Sequence, residues 1–126
     1  RIDLAAAKIA LESDGFEYRH VAGMDMFLDG PDSKARDAVH VLFAGEKVRP
    51  SDLLPSPEVD EAVRSEFFKI LSLEALVRVK LNVFRIKDQM HLLDLLDVGL
   101  IDASWKTRYP PELASRLRQL IDNPNG

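Results

Sequence analysis

Apolar residues along this chain recur with two different periods, and the change of period organises its reading. From Ser72 onward they return every three or four residues, the signature of helices with one buried face. Leu73, Leu76, Val77, Leu81 and Phe84 form an i, i+3, i+4, i+8, i+11 ladder, with Ser72 placed to cap it and Glu74 in its first turn. A second helix is predicted from about Ile86 to Val98, with a core stripe of Ile86, Met90, Leu93 and Leu96 that Leu92 and Leu95 widen; Gly99 closes it. Trp105 and Tyr109 fall in a connector. Pro110-Pro111 then opens a last helix on Leu113, Leu117, Leu120 and Ile121. The same period occurs once earlier, over Asp3 to Ser13, where Leu4, Ala7 and Leu11 share a stripe. Lys8 and Glu12 make an exposed pair there, and Asp14-Gly15 ends the helix.

Between Phe16 and Leu71 the period shortens to two. Phe16, Tyr18 and His20 alternate with Glu17 and Arg19, Ala22-Gly23 suits a turn, and Met24, Met26 and Leu28 alternate with Asp25, Phe27 and Asp29. That is a β-hairpin. Ala38 to Ala44 is a nearly continuous apolar run, expected to be a central strand covered on both faces. Glu46 to Glu66 carries Pro50, Pro55 and Pro57 without a clear period and reads as a long connector. Phe67 to Leu71 is a further strand running into the Ser72 cap. The expected fold is α+β: a small mixed sheet of Phe16–His20, Gly23–Asp29, Ala38–Ala44 and Phe67–Leu71 with helices packed on it. At 126 residues the chain is expected to be a single domain, 1–126, helical from about 72 onward.

Composition changes this picture little. The 46% hydrophobic and 30% charged fractions are those of an ordinary soluble globular chain. With no cysteine, disulfides and thiolate metal sites are excluded. No apolar run approaches the ~18 residues of a membrane span, so no membrane partner is expected and a cytoplasmic location is the default. A net charge of −4 argues against a general nucleic-acid coat, though not against a local basic site. The chain opens Arg1-Ile2-Asp3 rather than on methionine, which is expected of a piece lacking upstream sequence.

The residue that stands out is Lys80. It falls at i+7 of the first helical ladder, inside the apolar stripe. An unpaired buried ammonium is too costly, so Lys80 either snorkels to solvent or is held for an anion such as phosphate or carboxylate. Arg78, Arg85 and Lys87 cluster near it, around the junction of the two helices. His40 interrupts the Ala38–Ala44 run and is expected to be a buried, hydrogen-bonded structural residue. Histidines 20, 40 and 91 have no metal-ligand spacing, and the P-loop, dinucleotide, zincin and nucleophile-elbow motifs are absent.

The runs VHVLFAGEKVRP and ILSLEALVRVKL, followed by FRIKDQMHLLDLLDVGLID, resemble the C-terminal part of AbiEii-type nucleotidyltransferase-fold proteins. These belong to the polymerase-beta-like minimal nucleotidyltransferases, and some are the toxin half of type IV toxin–antitoxin pairs. The resemblance spans about Phe16 to Asp102. It implies transfer of a nucleoside monophosphate from an NTP to a hydroxyl on tRNA or protein, with Mg²⁺ held by three carboxylates and, for a toxin, a cognate antitoxin as partner. It also implies that Lys80 reaches the nucleotide phosphates, that Arg85, Lys87 and Asp88 match the basic residues and aspartate of the family's KD-type helix, and that Asp94 stands a turn beyond His91. The family's paired-aspartate motif is missing and would lie upstream of Arg1, and His40 stands where the third carboxylate belongs. Imidazole suits Mg²⁺ poorly. The chain by itself is therefore expected to be inactive and to hold no tight Mg²⁺. The alternative implied by these departures is a non-catalytic nucleotide-binding or protein-interaction domain that keeps the fold.

Overall fold

The computed structural model describes residues 1–125, and the architecture is α+β: four α-helices and two small antiparallel sheets. The chain gathers into two compact units, 1–46 and 47–126.

In the first unit, α1 (Leu4–Ser13) precedes the hairpin of β1 (Glu17–Val21) and β2 (Met24–Leu28). The two-residue turn Ala22-Gly23 has positive φ at both positions (52° and 77°), the twist that matches paired strands, and Ala22 carries it without glycine's freedom. The turn fixes the register, pairing Val21 with Met24, His20 with Asp25 and Tyr18 with Phe27. The third strand, β3 (Val39–Val41), pairs antiparallel with β2. The order β1-β2-β3 makes β2 central, and Asp25, Met26, Phe27 and Leu28 are all buried. The Ala38–Ala44 run is thus an edge strand of three residues, not the central one. Val39 and Leu42 are exposed, and His40 is exposed rather than buried, its Nε2–H donating to Ala35 O at 3.1 Å. Lys8, expected to pair with Glu12, instead places Nζ 3.9 Å from the Tyr18 ring centre.

The second unit holds the larger core. A second sheet, β4 (Ala62–Arg64) paired antiparallel with β5 (Lys69–Leu71), arises partly within the stretch read as connector. The expected single mixed sheet is therefore two separate antiparallel ones, because β5 pairs locally with β4 and not with β2 or β3. Then come α2 (Leu73–Val83), α3 (Ile86–Asp97), a 3₁₀ segment (Ala103–Arg108) and α4 (Pro111–Asp122). Ser72 caps α2 as expected, its hydroxyl accepting from Ala75 N at 3.2 Å. Val77 and Leu81 of α2, Leu92 of α3, Ile101, and Leu113 and Leu117 of α4 are inaccessible to solvent or nearly so. Tyr109 closes one end of this core; burial pushes its phenol pKa up to about 12, and its hydroxyl donates to Glu74 O at 3.1 Å. The stripe expected on α3 holds in part: Leu93 and Leu96, with Leu95, pack against the core. Leu92 is its fully buried leucine, whereas Ile86 and Met90 are 81% and 54% exposed. No helix here is long and apolar enough to cross a membrane among the described residues.

Candidate functional site

Lys80 lies in the last turn of α2, and the turn that follows decides what it meets. Phe84 ends the helix in the left-handed region, φ 54°, with its N–H bonded to Lys80 O. That conformation is unfavourable for a bulky residue and needs support from its surroundings. Arg116 of α4 supplies it: Nη1 donates to Leu81 O at 2.6 Å and Asn82 O at 2.7 Å, and the guanidinium lies over the Phe84 ring. The buried Asn82 side chain adds a brace, accepting from Leu54 N and donating to Leu54 O, both at 2.8 Å. The sharp turn brings the first turns of α3 against Lys80.

There the Lys80 ammonium sits 2.8 Å from His91 Nδ1 and 3.7 Å from Asp88 Oδ1. An ammonium can only donate, so Nδ1 is the acceptor and the proton of this neutral imidazole is on Nε2. Asp88 is in turn held by Arg85, whose Nε donates to Oδ2 at 2.8 Å and whose backbone N–H donates at 3.2 Å, capping α3. Burial works to raise the Asp88 pKa, but the hydrogen bonds from Arg85 and the charges of Arg85 and Lys80 outweigh it, leaving the carboxyl below its ordinary range. Lys80 thus has partners on both sides, with its side chain only 17% exposed. Arg85 is 46% exposed beside it, and Lys87 is exposed one residue further into α3.

The sequence-predicted residues are not all gathered here. Lys80, Arg85 and Asp88 form one cluster, with His91 as a fourth member. Asp94 lies a turn beyond His91 and lines a groove between α3 and α4 instead. Arg78, on another side of α2, pairs with Glu61 at 2.6 Å and lines a hollow of about 350 Å³ with Arg108. Both partners of Lys80 are on α3.

Sequence reasoning missed a second polar cluster, in the first unit. Asp25 is buried on β2, and its Oδ1 accepts from the Tyr18 hydroxyl at 2.5 Å and from His20 Nδ1 at 2.7 Å. These hydrogen bonds, Tyr18's first and His20's second, hold its pKa below the usual carboxylate range. The signal was available: a two-residue turn after Val21 places His20 opposite Asp25.

The Mg²⁺ site that the resemblance implies does not fit these residues. Among the described residues no three His, Asp or Glu side chains come together as a metal site needs. Asp25 is engaged by Tyr18 and His20, Asp88 by Arg85 and Lys80, and the His40 Nε2–H is turned to a carbonyl. Comparison with protein-family models, curated proteins and solved structures returns no match.

Proposed function

We propose that the second unit is a nucleotide-binding domain of AbiEii-like, nucleotidyltransferase-fold type, in which the junction of α2 and α3 grips the phosphates of an NTP. The observation that supports it is the state of Lys80: its stem is packed, its ammonium is held by Asp88 and His91, and Arg85 shares Asp88 with it. Two cations here, Lys80 and Arg85, meet one carboxylate, so the cluster keeps an excess of positive charge on a chain whose net charge is −4. It stands at the N-terminus of α3, where the helix dipole also favours an anion. A triphosphate would take the spare donors of Lys80 and Arg85, and Asp88 would keep both cations aimed while they bind it.

On this proposal the chain binds nucleotide and does not transfer it, since among the described residues no carboxylates gather into a metal clamp. Transfer to tRNA or to a protein acceptor, and pairing with an antitoxin, belong to the same proposal only as roles of a longer protein. Calorimetric titration of ATP and GTP into the chain and into Lys80→Met tests the binding role. We expect the variant to bind more weakly by ~1.5–3 kcal/mol, the worth of a charge-assisted hydrogen bond. Equal affinities would remove Lys80 from the site. Incubation with labelled NTP, Mg²⁺ and bulk tRNA is expected to leave no label above a blank; metal-dependent labelling would overturn the non-catalytic part.

A further inference from the structure

Helix α3 carries more apolar surface than its place in the core uses. Leu92 is fully buried and Leu93, Leu95 and Leu96 pack partly buried against the core, yet Ile86 and Met90 continue a line through Leu93 at i, i+4 and i+7 that runs out of the core onto the surface. Ile86 and Met90 on that line are mostly exposed. Leu120, Ile121 and Pro124, from α4 and the residues after it, form a facing wall. Two adjoining hollows of about 480 and 500 Å³ run along the seam, both floored by Met90, Leu93 and Leu120. This line is written into the sequence with the regularity of a core face, but no element of the second unit covers Ile86 and Met90 among the described residues.

The polar groups at this groove have one sign. Asp94 and Asp97 line the first hollow, and no lysine or arginine lines either. α3 ends at Asp97 and α4 at Asp122, so the partial negative charges of two helix C-termini add to the carboxylates. From Ile86 to Asp97 the groove follows α3 for roughly 17 Å, three helical turns. That is the length over which an amphipathic helix seats its i, i+3/i+4 and i+7 anchors.

We propose that the α3–α4 groove is the docking site of a basic amphipathic helix from a partner protein. Its apolar stripe lies on Ile86, Met90 and Leu93, and its flanking lysines or arginines face Asp94 and Asp97. Charge complementarity selects this occupant. A second copy of the same acidic groove would meet like charge, and an anionic membrane surface would be repelled. The proposal does not rest on nucleotide binding.

The test uses the full chain with its methionine methyls labelled, and a synthetic helix of about eighteen leucines and lysines, long enough to span the groove. We expect this peptide to bind one to one and to shift the Met90 methyl while Met24 and Met26 stay in place. Asp94→Asn with Asp97→Asn should weaken binding about tenfold, whereas Asp60→Asn with Glu66→Gln, exposed acids elsewhere on the same unit, should not. A peptide with glutamate in place of lysine should bind at least about tenfold more weakly. The proposal is overturned if Met90 does not move, if both acid pairs matter equally, or if the glutamate peptide binds as well. It is also overturned if Met90 responds to protein concentration alone with dimer formation, which assigns the groove to a second copy, or to phosphatidylserine vesicles, which assigns it to a membrane.

Discussion

Asp25 in the first unit and Asp88 in the second are buried to nearly the same depth, 5% and 4% exposed, and the two are satisfied in opposite ways. Asp25 accepts from a phenol and an imidazole, neither of them a permanent cation, so its cluster carries no fixed excess of positive charge for an anion. Asp88 accepts from Arg85 and lies beside Lys80, so its cluster leaves positive charge at the surface. Burial depth and a lowered pKa are common to both and say nothing about function. What separates them is the charge of the donors, and it is on that ground that the Asp88 cluster, not the Asp25 one, is assigned to phosphate.

The comparison can be broken most forcefully at Asp88. Asp88→Ala removes the α3 cap and leaves Lys80 and Arg85, 17% and 46% exposed, facing each other without their carboxylate, so we expect a loss of about 2 kcal/mol in urea unfolding. A loss under about 1 kcal/mol would mean that water already serves these cations. Asp25→Asn should cost less, about 1–1.5 kcal/mol, since an amide oxygen still accepts from Tyr18 or His20 and no cation is stranded.

Acid sharpens the contrast. Both carboxyls have folded-state pKa values below the ordinary 3.8, so each contributes stability that is fully present above that value and is lost as pH falls through the lowered one. Stability followed from pH 7 to pH 2 should therefore drop below about pH 4, and Asp25→Asn, which lowers the plateau above that pH, should remove part of the drop. A profile in the variant identical to wild type would show that Asp25 does not titrate with folding. The smallest effect is expected at Lys80. Lys80→Met keeps the packed stem, and Arg85 still neutralises Asp88, so stability should move by only ~0.5–1 kcal/mol.

Much of the helical half was legible in the sequence because its apolar residues serve one face each. Leu113, Leu117 and Leu120 of α4 and Val77 and Leu81 of α2 are buried where their spacing put them. On α3 the reading held for Leu92, Leu93, Leu95 and Leu96 and failed for Ile86 and Met90, because the apolar surface is wider than the packed face and periodicity cannot say which part is covered. The strands were harder. Val39–Val41 looks like a central strand by composition, but a strand's position depends on pairing partners, and β3 has one neighbour. β4 is three residues long inside a proline-bearing stretch, too short for any period to register. Of the site, the oddity of Lys80 was legible, but its partnership with His91 and Asp88 was not. That depends on the left-handed Phe84, which nothing in local composition requires.

The central claim is that the Lys80 ammonium, held by Asp88 and His91, is the group that meets phosphate. The direct measurement is the ¹³Cε–¹H resonance of Lys80 during titration with ATP, assigned by its disappearance in Lys80→Met. The account predicts that this resonance shifts and saturates with the same constant as calorimetry, and that added sodium triphosphate moves it in the same direction. A Lys80 signal that stays fixed while ATP binds, or while other lysines respond, would contradict it.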